Sequence, residues 1–242
     1  MPDKKALPPG IVKAENFAII KTDTEQVLST LRENLGTDGL QPWDLDRVGV
    51  PPGGGSHWMV PTVDGDPNPE KELVGVLVYQ KQVRAWWERD IDDGGGGGPP
   101  DCRSSDGIHG QGKMAEKIDG RLCQNCPAAQ WGSGRKGSRG QDCRLMRQMF
   151  LMRKDDVLPC LVTIPPTSLR ASKKFLLGLF QRQRTYWSVI IGIGLNPTKS
   201  QTGQPFSQVT FRVISAMSPE LTDKFAAVKN SLAPVFEKAG VE

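Results

Sequence analysis

The chain has 242 residues and a mass of 26.5 kDa, with 37% hydrophobic and 24% charged residues, which suits one large domain or two small ones. Its 27 glycines and 19 prolines exclude a helical bundle or a coiled coil, and no apolar run is long enough for a transmembrane helix. The net charge is +4, and the first residues lack the apolar stretch of a secretory signal, so we expect a cytoplasmic protein without a membrane partner.

Hydrophobic periodicity predicts helices and strands separated by many turns. A leading helix is expected at residues 24–35, because Val27, Leu31 and Leu35 recur at helical spacing. Residues 145–152 fit either a short helix or a strand. The mixture predicts an α+β fold, and an OB-like β-barrel with flanking helices is the most economical core. Strands are expected at residues 57–63, 73–87, 158–164, 186–195 and 206–216, and further helices at residues 168–181 and 218–237.

The predicted organisation has three parts. Residues 1–100 would form the N-terminal part of the OB-like core with its leading helix, and residues 146–242 the remainder with a C-terminal helix. Residues 101–145 would form a zinc-ribbon insertion between the two.

Four of the five cysteines lie in one segment that holds few large apolar side chains. Cys123 and Cys126 form a Cys-x2-Cys pair, with 20 residues between Cys102 and Cys123 and 16 between Cys126 and Cys143. A two-residue gap lets one tight turn supply two of the four thiolates of a structural zinc site, and so polar a segment would not fold without a metal or crosslinks. We therefore predict a structural Zn²⁺ site formed by Cys102, Cys123, Cys126 and Cys143.

Alternatives to this site remain open. A redox Cys-x2-Cys pair is disfavoured because no thioredoxin-like pattern surrounds it, and unliganded thiols are a further alternative. His109 is the alternative fourth ligand if Cys102 does not reach the site. Cys160 lies within a predicted buried strand and is expected to be a free core residue.

Basic residues are concentrated in the second half of the chain. Residues 1–100 hold 10 Lys or Arg and 16 Asp or Glu, while residues 101–242 hold 21 and 11. Two segments, residues 135–154 and 168–184, carry seven and five basic residues with only one acid between them. This concentration favours a polyanionic partner, bound through phosphate neutralisation and counterion release, over an ordinary solvated surface.

Aromatic residues stand beside these cations in the sequence. Bases of a single strand stack on aromatic rings while neighbouring Lys and Arg follow the backbone. Each ring is also compatible with an ordinary core position, and the adjacent residues Trp86 and Trp87 would point to opposite faces of a strand. The residues predicted to contact nucleic acid are Tyr79, Arg84, Trp86, Trp131, Arg135, Lys136, Arg139, Arg144, Arg184 and Trp187.

The sequence contains no recognisable catalytic motif. His57 and His109 are its only histidines, and neither stands in a metal-hydrolase or deaminase motif. The glycine runs lack the Gly-Lys-Ser/Thr ending of a phosphate-binding loop. We therefore expect a binding protein and not an enzyme.

Short sequence motifs distributed over residues 39–169 carry a resemblance to known proteins. They lie at residues 39–47, 75–79, 84–86, 99–107, 123–127, 131–133, 158–159 and 165–169. They resemble a family of phage and mobile-element proteins. In layout, a zinc module added to an OB-like core, the chain is similar to the zinc-containing single-stranded-DNA-binding proteins of T-even phages, although residues 236–242 do not form the acidic tail common in such proteins.

These observations predict sequence-tolerant, non-catalytic binding of single-stranded DNA in phage or mobile-element replication or recombination, in the host cytoplasm. Replication or recombination proteins would be further partners. One alternative is a zinc-ribbon adaptor that inhibits a host protein, and another is a recombination mediator that anneals strands. Charge favours DNA binding, because an adaptor does not require arginines beside exposed tryptophans.

Overall fold

The computed structural model describes residues 14–21, 24–36, 40–89, 98–135, 139–200 and 203–241. Its helices and longer strands confirm the α+β class. In chain order the elements are α1 (Ala18–Lys21), α2 (Thr24–Leu35), β1 (Arg47–Gly49), β2 (Trp58–Val60), β3 (Asn68–Glu70), β4 (Glu72–Trp86), β5 (Cys102–Ser104), β6 (Gln111–Gly112), β7 (Arg144–Arg153), β8 (Cys160–Ile164), α3 (Leu169–Gln181), β9 (Val189–Lys199), β10 (Pro205–Ala216) and α4 (Pro219–Lys238).

The described strands form an open, branched sheet, so the predicted OB-like barrel is not confirmed. Strands β1, β8, β7, β4, β5 and β6 lie in that order, while β2 and β3 form a separate pair. The 15-residue β4 pairs with β7 along one edge. On its other edge its first residues pair with β9 and its last residues with β5, so the sheet divides there. Strand β10 continues the β9 branch and pairs with no other described strand.

The cysteine segment is an excursion between two strands that are themselves neighbours. Strands β4 and β7 are antiparallel partners from Gly75 opposite Arg153 to Ala85 opposite Arg144. Residues 87–143 therefore leave the end of β4 and return at the start of β7. We call this segment the cysteine module; it includes the short strands β5 and β6, which extend the sheet beside β4.

Apolar side chains are buried on both faces of the sheet. Alternation along β7 separates the two cores, since Phe150 and Met152 point to one face and Met149 and Leu151 to the other. The first face, here the front, is covered by α1, the residue before it and α4, which supply Phe17, Ile19, Phe225, Val228, Leu232 and Phe236. The back face is covered by α3 and β2. Among the described residues no helix is both long and apolar enough to cross a membrane.

Candidate metal centre and nucleic-acid surface

Four cysteines of the module meet around one small cavity. Cys102 lies on β5 opposite Trp86 of β4, and Cys143 directly precedes β7. Cys123 and Cys126 flank a tight turn in which the N–H of Cys126 donates to the carbonyl of Cys123 at 3.2 Å. All four are buried and line a cavity of about 20 Å³. A cavity of that size has room for a single water-sized particle.

Backbone contacts fix the segments that carry these thiols. The N–H of Cys123 donates to the carbonyl of Ile108, and the N–H of Cys143 to that of Ala128, both at 2.7 Å. Opposite Cys102, Gly112 has a φ of +110°, and a Cβ there would lie 2.2 Å from the carbonyl oxygen of Asp101. Only glycine fits this position, so the turn beside Cys102 depends on it.

The surroundings of the thiols favour their neutral form. Burial raises the pKa of Cys102 and Cys123, and it raises the pKa of Cys143 to about 12. The positive charge of Arg84 acts in the opposite direction on the pKa of Cys123 and Cys143, but burial dominates. A bound metal ion would reverse this balance, because metals bind the thiolate and release its proton.

Arg84, predicted as a nucleic-acid contact, lines the cysteine cavity instead. Its Nε and Nη1 atoms are buried and have no hydrogen-bond partner among the described residues. No carboxylate in the described part of the chain forms an ion pair with it. A buried and uncompensated cation is costly. Four thiolates bound to one Zn²⁺ would carry a net charge of −2, and this negative charge would balance the positive charge of Arg84.

The residues present fit zinc in chemistry, but they are not arranged as a formed site. In the described ranges no group of three or more His, Cys, Asp or Glu side chains is placed so that it could hold a metal ion. His109 does not line the cysteine cavity; its Nδ1 contacts Asp106 Oδ2 at 2.9 Å. Cys160 is buried in β8, within the back-face core. Zinc binding by Cys102, Cys123, Cys126 and Cys143 therefore stays a prediction.

Trp86 and Arg135 support the module. Trp86 is only 8% exposed, and its indole N–H donates to Asp142 Oδ2 at 2.6 Å. Arg135 Nε contacts the other oxygen of Asp142 at 2.7 Å, and its guanidinium also donates to the carbonyl of Trp87. These contacts tie Arg135 and Asp142 to the end of β4. In this conformation Trp86 has no free ring face for a base.

Tyr79 and Trp187 lie at the front-face core, away from the module. Tyr79 is half-buried, with its ring centroid 5.5 Å from that of Phe236, and burial raises the pKa of its hydroxyl. Trp187 is half-buried as well, and the ammonium of Lys229 lies 5.0 Å from its ring centroid. Both rings are therefore in contact with α4.

The other predicted contacts are exposed but separated in the fold. Trp131 of the module is 80% exposed, and Arg139 and Arg144 are exposed as well. Arg184 is exposed just after α3, at a different part of the molecule. Lys136 lies outside the described residues. The structure thus brings the predicted set to several places and not to one groove.

Arg103 and Trp87, which were not predicted as contacts from the sequence, complete a basic surface at the end of the sheet. Ala85 of β4 is directly opposite both Arg103 of β5 and Arg144 of β7, so these three side chains share the front face. The guanidinium carbon of Arg144 lies 5.4 Å from the ring centroid of Trp87. We call Arg103, Arg144 and Trp87 the arginine row. The sequence indicated that Trp86 and Trp87 point to opposite faces, but it does not show which of the two faces the module covers.

The arginine row is not neutralised by the acids near it in sequence. Lys113 holds Glu88 Oε2 and Asp101 Oδ1, each at 2.9 Å. Neither Arg103 nor Arg144 forms an ion pair with another described residue. Two exposed guanidinium groups, of which that of Arg144 lies beside the indole ring of Trp87, are therefore available to a ligand. Comparisons with family models, with curated proteins and with solved structures found no match to this chain.

Proposed function

We propose that the protein binds single-stranded DNA without strong sequence preference and without catalysing a reaction on it. The observation that carries the proposal is the arginine row, in which two exposed arginines without ion-pair partners among the described residues flank the end of β4, and Trp87 directly follows that strand. We place this activity in phage or mobile-element replication or recombination, in the cytoplasm. DNA binding at the arginine row requires an exposed end of the sheet and does not require a closed barrel.

The chemistry of the arginine row suits a flexible polyanion. Guanidinium groups pair with phosphates along the strand, and release of the counterions of the DNA contributes to affinity. Bases of a single strand are free to stack on exposed rings, of which Trp131 is the most exposed tryptophan described. In a duplex the bases are already stacked on one another and cannot stack on these rings, so the same surface would favour single strands.

We further propose that one structural Zn²⁺ is held by Cys102, Cys123, Cys126 and Cys143. When bound, the ion would supply crosslinking of the module and not catalysis, since four protein ligands leave no open coordination position. The thiols would hold it as thiolates, and Arg84 would balance their charge. Because Arg103 lies in β5 within the module, the order of the module determines the position of this arginine, whereas Arg144 is held by the pairing of β7 with β4.

Replacement of Trp131 or Arg144 by alanine tests the DNA-binding proposal. We expect Trp131→Ala to weaken oligo-dT binding by about 1–3 kcal/mol, or roughly 5- to 150-fold, if a base stacks there. Arg144→Ala should weaken binding and lower the slope of log affinity against log salt by about one unit or less, because one phosphate contact is lost. Fluorescence anisotropy of labelled oligo-dT at several salt concentrations measures both effects.

Two matched variants serve as controls for this experiment. Trp43 is 62% exposed but lies before β1, and Arg170 is exposed on α3; alanine at either position should leave affinity and salt slope unchanged. Equal affinity for duplex and single strand would contradict the proposal. So would undetectable binding at about 50 mM salt, where electrostatic binding is strong. The latter result would favour the protein-interaction adaptor.

The role of Arg84 is tested by its replacement with methionine. In the zinc-loaded protein this change removes the cation beside the thiolates and should lower zinc affinity by about 10- to 100-fold. In the metal-free protein it removes a buried unpaired charge, so the free energy of unfolding should not fall. Chelator competition measures the first effect, and urea unfolding with a chelator measures the second. Arg103→Met changes an arginine next to Cys102 whose side chain lies on the opposite face of the sheet from the thiols, so it should retain zinc affinity.

A further inference from the structure

A groove of about 540 Å³ runs between α3 and β10, on the opposite branch of the sheet from the cysteine module. The helix contributes one face to it, at positions 171, 174, 175, 178 and 179, and residue 182 directly after the helix also lines the groove. The strand contributes six consecutive residues, at positions 208–213. Successive strand residues point to opposite faces, so a groove that contacts all six must follow the edge of the strand.

The edge of β10 that faces this groove is unpaired among the described residues. β10 is bonded to β9 on its other side only. The N–H of Val209 donates to the Oγ of Ser168 at 2.9 Å, which shows that Val209 presents its backbone away from β9. Because backbone direction alternates in an antiparallel pair, Phe211 and Val213 also present their N–H and C=O groups away from β9. Such groups are a template for another strand.

The walls of the groove combine an apolar floor with a basic rim. The rings of Phe175 and Phe211 are stacked, with centroids 5.3 Å apart and planes at 20°. Lys174 and Arg182 are exposed on the helix side and form no ion pair with a described residue, whereas Arg212 is held by Glu72 at 2.5 Å. No acidic residue is among the described residues that line the groove. The groove is thus suited to an anionic ligand with some apolar side chains.

We propose that this groove binds an extended acidic peptide segment of a partner protein, which adds as a strand to the free edge of β10. Main-chain hydrogen bonds to Phe211 and Val213 would provide affinity, as in other cases of strand addition. Apolar side chains of the peptide on the face covered by α3 would contact the phenylalanine pair, and its acidic side chains would pair with Lys174 and Arg182. A peptide matches this site better than a nucleic acid does, because the edge offers backbone donors and acceptors alternating at the spacing of a strand.

The experiment uses the full chain and a fluorescein-labelled peptide that alternates glutamate with valine, followed by anisotropy. We expect saturable binding, and we expect the double variant Lys174→Glu/Arg182→Glu to weaken it by about tenfold or more, since favourable charge pairs become repulsive. Arg170→Glu/Lys173→Glu makes the same charge change on the exposed side of α3, outside the groove, and should have a much smaller effect.

Two further arms separate strand addition from simple charge attraction. The same peptide N-methylated at consecutive residues keeps its charges but loses its strand-forming N–H groups, and it should bind at least about tenfold more weakly. Oligo-dT affinity should be the same for the wild-type protein and the Lys174→Glu/Arg182→Glu variant. Absence of peptide binding, equal binding of the methylated peptide, or loss of oligo-dT binding with retained peptide binding would each overturn the proposal. The peptide measurement contains no DNA, so its outcome is independent of the proposed DNA binding.

Discussion

Replacement of Cys143 by serine is expected to eliminate zinc binding and to unfold the cysteine module, while the two cores of the sheet remain folded. Zinc sites of this kind contribute on the order of 10 kcal/mol to the folding of the segment they crosslink, because the site does not exist in the unfolded chain. The module itself offers only a small apolar cluster around Trp86, Cys102 and Ala128. Without the metal, the module would depend on this cluster, the contacts of Asp142 and its backbone hydrogen bonds.

Metal analysis and hydrogen exchange measure this expectation together. The natural chain, purified without chelators, should contain one zinc per molecule, and the Cys143→Ser variant none. The amides of Cys123, Cys126 and Cys143, which donate hydrogen bonds within the module, should lose protection in the variant. Amides in the paired region of β4 and β7 should retain it.

Cys160 provides the matched control for this substitution. It is as buried as the other cysteines but lies in β8, where its thiol donates to the carbonyl of Leu151 at 3.5 Å. Cys160→Ala should therefore keep the zinc and affect only the stability of the back-face core. Less than about half an equivalent of zinc in the natural protein, or full zinc content in Cys143→Ser, would refute a four-cysteine site.

Local periodicity was sufficient to predict most of the individual elements. The helix expected at residues 24–35 coincides with α2, and the strand expected at residues 206–216 differs from β10 by one residue. The ambiguous segment at residues 145–152 is a strand, because its alternating side chains fill the two cores on opposite faces of the sheet. Strands of two or three residues, such as β1 and β6, are too short to produce a periodic signal.

The arrangement of the strands could not be predicted in the same way. An OB-like barrel requires each strand to have a particular neighbour, and apolar periodicity does not specify neighbours. β4 is long enough to pair with β9 at one end and with β5 at the other, and this division leaves the sheet open. The parallel pairing of β1 with β8 was also not predicted, because residues 47–49 were not identified as a strand from the sequence.

The candidate site was predictable in its cysteines more than in its basic residues. The spacing of Cys102, Cys123, Cys126 and Cys143 identified the residues that share one cavity. Sequence alternation showed that Arg84 and Trp86 share a face, but it could not show that this face is turned to the thiols. For the same reason Trp87 and Arg103, on the other face, were missed. Tertiary packing decides which face of a strand is exposed.

The packing of α4 on the front face is expected to contribute strongly to stability. Phe236 is fully buried, and its ring centroid lies 4.4 Å from that of Phe150 and 5.5 Å from that of Tyr79. Phe236→Ala should lower the free energy of unfolding by about 3–5 kcal/mol, because it removes these contacts and leaves a cavity. Urea unfolding measures the loss as a lower midpoint with an unchanged slope.

Phe180 is the matched control, since it is 77% exposed on α3 and its replacement by alanine should change stability by no more than about 0.5 kcal/mol. The residues after α4 extend its cover toward the arginine row: Gln148 Nε2 donates to the carbonyl of Gly240 at 2.8 Å, and Val241 packs near Ala85. Equal free energies of unfolding for Phe236→Ala and Phe180→Ala would contradict the packing of α4 on the front face.

If the arginine row is the DNA surface, Phe236→Ala molecules that remain folded should still bind oligo-dT, because α4 supplies none of the three residues of the row.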